Sequence, residues 1–254
     1  MWFNKTMIQD TLLVLVLTIL GGLALGISRN YHKLVKMSDS DEGMVELKKG
    51  SKYFLAFGDS LTEGFYHMGF RFHPYTEKLE ELFEKNNSSI AVVNRGISGE
   101  TTIKMVRRLE SILQKTRFDF VCVLAGTNDL ANPSETADSI FERLNRLYQL
   151  VLNHNSNVIL LVVTIPPTSF DKREQDYLNK KLLINEKIKT FSEEPRSTGR
   201  VVFVDLYTAT PYYQEDGTMS PLWDDHLHFS PKGYDLFGEL IFTSIHPLLS
   251  ESGK

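Results

Sequence analysis

YFLAFGDSLTEGF, Tyr53 to Phe65, runs five apolar residues straight into Gly58, Asp59 and Ser60, then into Leu61, Thr62, Glu63 and Gly64. The run reads as a buried strand that delivers a short polar loop at its C-terminal end. Ser, Asp, Thr and Gly are the ordinary material of a loop that turns the chain and caps the next helix. The same residues also suit the mount of a reactive serine, and the rest of the chain decides between the two.

Four further apolar runs follow: IAVVN (90–94), FVCVL (120–124), VILLVV (158–163) and VVFVDL (201–206). They are continuous rather than alternating, as strands covered on both faces are. Between and after them lie helical patterns at Pro74–Lys85, Thr101–Lys115, Ser134–Asn153, Lys172–Phe191 and Pro231–Leu249. Leu79, Leu82 and Phe83 share one face of the first, and Ile140, Leu144, Leu147, Val151 and Leu152 share one face of the third, which are stripes for core packing. Pro74 and Pro231 suit first-turn positions, where a missing N–H costs nothing. Strict alternation of strand and helix implies an α/β fold, a three-layer α/β/α sandwich around a parallel sheet. Five strands suggest the flavodoxin-like order 2-1-3-4-5, whose switch point between strands one and three is where ligands bind.

The 254 residues suffice for one large domain with an appendage. The 28 basic and 32 acidic residues give a net charge of −4 without a basic stripe, so nucleic acid is not an expected partner. The single cysteine, Cys122, excludes an internal disulfide and reads as a small buried hydrophobe. The seven histidines form no HExxH or Cys/His cluster, and neither metal nor cofactor is expected.

Thr11 to Ile27 carries no charged residue. Its length lies between a short membrane span, which needs about 20 residues, and the core of a signal peptide. The expected organisation is a membrane anchor or signal segment (1–28), a polar linker (29–51) and a catalytic domain (52–250). Ala24 and Gly26 suit signal cleavage; Arg29, Lys33 and Lys36 suit an uncleaved single-pass anchor, which is the reading adopted. These cations, set against Lys5 before the run, favour a cytosolic domain by the positive-inside rule, whereas the sequons at Asn86 and Asn87 suit a luminal one.

The segments leaving the strand ends carry the chemistry: GDSLTEG after strand one, RGISGETT after strand two, AGTNDL after strand three, and DDHLHFSPKGY before the last helix. Ser60 and Asn128 straddle the expected switch point. A serine hydroxyl becomes a nucleophile when a base takes its proton, and that base needs a carboxylate to hold its tautomer. Asp225 and His228, three residues apart, meet if their turn is helix-like. Asp224 and His226 compete for these roles but lack that spacing, and His226 is expected to be a solvated loop residue. The developing oxyanion needs donors, for which Ser60 N–H, Gly99 N–H and the Asn128 carboxamide are candidates. The plainer readings are that Gly99 forms a turn and Asn128 caps a helix.

Together the four blocks resemble the SGNH hydrolases, the GDSL lipase and esterase family, over about Tyr53 to Pro247. The resemblance implies Ser60 as nucleophile, Gly99 and Asn128 as oxyanion donors, and Asp225 with His228 as the acid–base pair. It implies a metal-independent serine esterase that acts on a small-molecule ester through an acyl-enzyme, with lysophospholipid, thioester and acetyl ester all open as substrates. The serine is not on a GxSxG elbow, and Asp59 is expected to support its loop rather than react. The competing reading is a flavodoxin-like module that binds an anion at helix N-termini. Asp59, Glu63 and Glu100 put negative charge where that anion would sit, and no Gly-rich phosphate loop is present.

Overall fold

A computed structural model describes residues 52–194 and 199–250. The expected anchor (1–28) and all of the linker (29–51) lie outside the described residues. Along the chain, β1 (Lys52–Gly58) leads into the one-turn helix α1 (Ser60–Glu63), a hairpin of β2 (Phe65–Tyr66) and β3 (Arg71–Phe72), and α2 (Tyr75–Lys85). Next come β4 (Ile90–Gly96), α3 (Thr102–Lys115), β5 (Phe120–Leu124), α4 (Thr127–Leu130) and α5 (Ala137–His154). The chain closes with β6 (Ile159–Val163), α6 (Gln175–Glu193), β7 (Val201–Val204), α7 (Leu206–Ala209) and α8 (Pro231–Ser250).

The five long strands pair in parallel in the order β4-β1-β5-β6-β7, which is the expected 2-1-3-4-5. Ala56 in β1 lies between Asn94 of β4 and Cys122 of β5. Phe54, Ala56, Phe120, Cys122, Leu124, Leu161 and Val163 face one way, into a core closed by Tyr75, Leu79 and Phe83 of α2 and Tyr234, Phe237, Ile241 and Ile245 of α8. The intervening Leu55, Phe57, Val121, Val123, Leu160 and Val162 are equally buried on the opposite face, as the strand pleat requires. Helices α3, α5 and α6 pack against one another in sequence. Full burial of each such side chain contributes about 1.5–3 kcal/mol, so two covered faces explain the unbroken apolar runs.

Several local expectations shift. Pro74 is the N-cap residue of α2, just outside the helix, with extended ψ of 142°. Helix α5 begins at Ala137 rather than Ser134 because Thr136 and Ser139 form a reciprocal capping box. Helix α6 begins at Gln175 rather than Lys172, since residues 169–172 form a separate 3-10 turn. Between the first strand and the first long helix, where the sequence pattern marks no element, β2 and β3 pair as a hairpin; it is held by Tyr234, whose hydroxyl donates to Phe65 O at 2.7 Å. Gly64 sets its entry: φ is 86°, and a Cβ there would lie 2.2 Å from Pro74 N.

Candidate active site

β1 ends at Gly58, and the next residue, Asp59, caps α1 by accepting the Leu61 N–H on Oδ1 at 3.0 Å. This places Ser60 as the first residue of α1, at the carboxyl end of the sheet. Its hydroxyl oxygen lies 3.1 Å from His228 Nε2, and His228 Nδ1 lies 2.9 Å from Asp225 Oδ2. Of the two histidines in DDHLH, His228 therefore reaches the serine. His226 is exposed, with its ring edge-on to Phe170 at 5.3 Å.

The turn that joins Asp225 to His228 is not helical. Asp225 Oδ1 accepts the backbone N–H groups of Leu227 and His228, each at 2.7 Å, while Trp223 and Phe229 form an antiparallel bridge that closes the loop. The carboxylate thus shapes the loop with one oxygen and meets the imidazole with the other. Burial pushes the Asp225 carboxyl up, but the His228 ring and these two N–H groups prevail and hold it at about 2. An ionised Asp225 is acceptor-only, so the bond to it sets the tautomer with the proton on His228 Nδ1, and in that tautomer Nε2 faces Ser60 Oγ as an acceptor.

On the other side of the serine, Gly99 has φ of 74°, a left-handed conformation that favours glycine. Among the described residues, neither the Gly99 N–H nor the Ser60 N–H has a hydrogen-bond acceptor. Asn128, in α4 after β5, donates from Nδ2 to Glu100 O at 3.0 Å and to Asp59 Oδ2 at 3.3 Å. Two acceptors on one carboxamide atom identify it as the nitrogen. The Gly99 loop is tied to α1 by Glu63, whose Oε2 accepts both the N–H and the hydroxyl of Ser98. Asp59 is fully buried, and burial raises its carboxyl to about 7 against the lowering effect of the Leu61 N–H.

The β2–β3 hairpin lies over the same place. The Phe65 ring centroid is 4.4 Å from that of His228, and the His67 N–H donates to Asp224 Oδ2 at 2.7 Å, linking the hairpin to the loop that carries His228. Met68 and Phe70 at its apex are 67% and 78% exposed. Cys122 is buried, which pushes its thiol up to about 12 and removes it as a nucleophile.

Residues 56–236 match the model of the GDSL-like lipase/acylhydrolase family. The chain belongs to this family. It is a GDSL-type esterase or acylhydrolase, which sets aside the anion-binding alternative. The GDSL-like hydrolase is similar to an arylesterase from Vibrio mimicus, 24% identical over 206 residues, covering 76% of this chain and 88% of the relative. Its fold is similar to a family 3 carbohydrate esterase from Clostridium thermocellum, with a TM-score of 0.61, 21% identity, and coverage of 80% of this chain and 100% of the other. It is likewise similar to an acetyl-xylooligosaccharide esterase from Geobacillus, with a TM-score of 0.61, 24% identity, and coverage of 78% and 96%.

The structure of this GDSL-like hydrolase brings Ser60, His228 and Asp225 into one hydrogen-bonded chain. Gly99 and Asn128 flank the loop that joins β4 to α3, Gly99 within it and Asn128 bonded to the carbonyl of Glu100. Sequence reasoning expected Asp59 to support the serine loop but missed its bond to Asn128, as it missed the contact of Glu63 on Ser98 and the pair between Glu100 and Arg108. Glu63, Asp59 and Glu100 carry a signal of a kind, being acidic residues beside a site that needs donors. Arg108 carries none, since it reads as one more polar position on an amphipathic helix.

Proposed function

We propose that the enzyme cleaves carboxylic esters through an acyl-enzyme formed on Ser60, without a metal. Ser60 Oγ attacks the ester carbonyl carbon as its proton passes to His228 Nε2. Asp225 steadies the imidazolium so formed. The negative charge that collects on the carbonyl oxygen is met by the N–H groups of Ser60 and Gly99 and by the Asn128 carboxamide. Collapse of this intermediate breaks the ester C–O bond, and His228 returns the proton to the departing alkoxide, releasing the alcohol. Water then repeats the sequence on the acyl-enzyme, giving the carboxylic acid and free Ser60. The observation that carries this reading is the 3.1 Å contact of Ser60 Oγ with a histidine whose other nitrogen meets a carboxylate held at about 2.

A fluorophosphonate probe followed by peptide mapping tests the nucleophile: the label is expected on Ser60 and is expected to vanish in Ser60→Ala. Turnover is expected to survive chelator. Relatives named for aryl and acetyl-sugar esters make p-nitrophenyl acetate and acetylated xylooligosaccharides the first substrates to try, beside longer acyl esters, thioesters and lysophospholipids. The uncharged run Thr11–Ile27 supports an enzyme held at a membrane, for which carbonate extraction of the full chain is the test.

A further inference from the structure

We infer that Arg108 is a positioning residue for the oxyanion hole: its guanidinium holds the loop that presents the Gly99 N–H and orients Asn128. The inference rests on the serine-esterase reading above. Arg108 Nε donates to Glu100 Oε1 and Oε2 at 3.0 and 2.9 Å, and Nη2 adds a further contact to Oε2. Nη1 donates to Arg95 O at 2.9 Å, and Nη2 reaches Gly58 O at 3.2 Å. The guanidinium carbon lies 4.1 Å from the Phe57 ring centroid. One planar group therefore joins the last residue of β1, the carboxyl end of β4, and the loop beyond it.

Each of these contacts is one step from the proposed chemistry. Gly58 is two residues before Ser60. Glu100 directly follows Gly99, and its carbonyl is the 3.0 Å acceptor for Asn128 Nδ2. Nothing approaches within 4 Å of the position a Cβ would take on Gly99, so packing on Gly99 itself does not fix its N–H. Its place depends on its neighbours, Ser98 held by Glu63 and Glu100 held by Arg108. The Glu100 and Arg108 side chains are 7% and 18% exposed, so water competes little for this pair. A lysine at 108 would supply a point charge, but not donors in fixed directions to three separated acceptor groups.

The test measures p-nitrophenyl acetate turnover by the purified full chain. Arg108→Ala is expected to lower kcat about 10- to 100-fold with KM little changed, as a misplacement of about 1 Å at a reacting centre does. The same substitution made on Asn128→Ala is expected to cost less than about threefold, because residues that act as a unit are not additive. Millimolar guanidinium is expected to restore part of the loss in Arg108→Ala and nothing in Asn128→Ala, and Arg108→Lys is expected to fall between wild type and Arg108→Ala. Glu100→Gln, which keeps the side-chain shape, serves the same cycle if Arg108→Ala does not fold. Equal losses in both backgrounds, or a change confined to KM, would assign Arg108 a purely structural role. Absence of any ester turnover by the wild-type chain would instead overturn the esterase reading, and this inference with it, before any variant is made.

Discussion

His228 Nε2 lies 3.1 Å from Ser60 Oγ although 168 residues separate them in the chain. β1 delivers the serine, and a side-chain-built turn before α8 delivers the histidine. In the proposed mechanism the two act as one proton-transfer unit, so Ser60→Ala and His228→Ala are each expected to lower kcat by more than about 10⁴, and the double variant by little more. His226→Ala is expected to cost less than about tenfold in kcat/KM, or about 1.4 kcal/mol. Steady-state kinetics on the three single variants check this, and a larger loss at His226 than at His228 would reverse the assignment.

Asn128→Ala is expected to lower kcat by about 10² to 10³, the effect of removing one oxyanion donor. In the resting site its Nδ2 already serves Glu100 O and Asp59 Oδ2. In the proposed mechanism the longer bond, at 3.3 Å to Asp59, is the one that yields to the oxyanion. KM is therefore expected to change little, and a shift in KM alone would show that Asn128 only seats the substrate.

Asp225 has a distinct acid signature. Its folded value of about 2 lies below the ordinary 3.8, because the His228 ring and two backbone N–H groups outweigh burial. A depressed carboxyl stabilises the fold above the unfolded value, and that contribution disappears as pH falls through the folded value. Urea midpoints are thus expected to drop between about pH 4 and pH 2 more steeply in wild type than in Asp225→Asn. The same substitution is expected to cost about 10⁴ in kcat at neutral pH by presenting the wrong tautomer to Ser60. Equal acid slopes in the two proteins would refute the lowered Asp225 carboxyl.

The sheet was legible because its strands are covered on both faces, so that runs such as YFLAF and FVCVL need no polar alternation. The blocks that carry Ser60, Gly99, Asn128, Asp225 and His228 were legible because open α/β sheets bind at the carboxyl ends of their strands. The β2–β3 hairpin was not: two-residue strands are too short for any periodicity, and its place is set by Tyr234 and Asp224, far away in the chain. The turn at 225–228 misled for a related reason. Spacing of three suggests a helical face, whereas the Asp225 carboxylate builds the turn by accepting backbone N–H groups. Arg108 stayed silent because its partners are two strand-end carbonyls and a loop acid, which share no sequence period with it.

Asp59 is a fully buried carboxyl, raised by burial to about 7 from an ordinary 3.8. For a raised carboxyl the sign is opposite to that of Asp225: its contribution is fully present below the unfolded value and is lost as pH rises through the folded one. Wild-type stability is therefore expected to decline between about pH 4 and pH 7 relative to Asp59→Asn, read from urea midpoints across that window. Asparagine caps helices as well as aspartate does, so the cap alone gives no reason for an acid here. The reason lies in symmetry. Above its folded value Asp59 is ionised, and the carboxylate then offers one oxygen to the Leu61 N–H and the other to Asn128 Nδ2, where a carboxamide offers a single acceptor oxygen. In the Asp59→Asn variant the introduced carboxamide must turn its NH₂ either towards the Leu61 N–H, losing the cap, or towards Asn128, placing donor against donor beside the oxyanion hole. Asp59→Asn is accordingly expected to flatten the pH dependence of stability and, above about pH 7 where the wild-type carboxyl is ionised, to lower kcat with KM little changed. A stability slope unaltered between about pH 4 and pH 7 would mean that Asp59 is ionised throughout, and unaltered kcat would mean that its second oxygen does not orient Asn128.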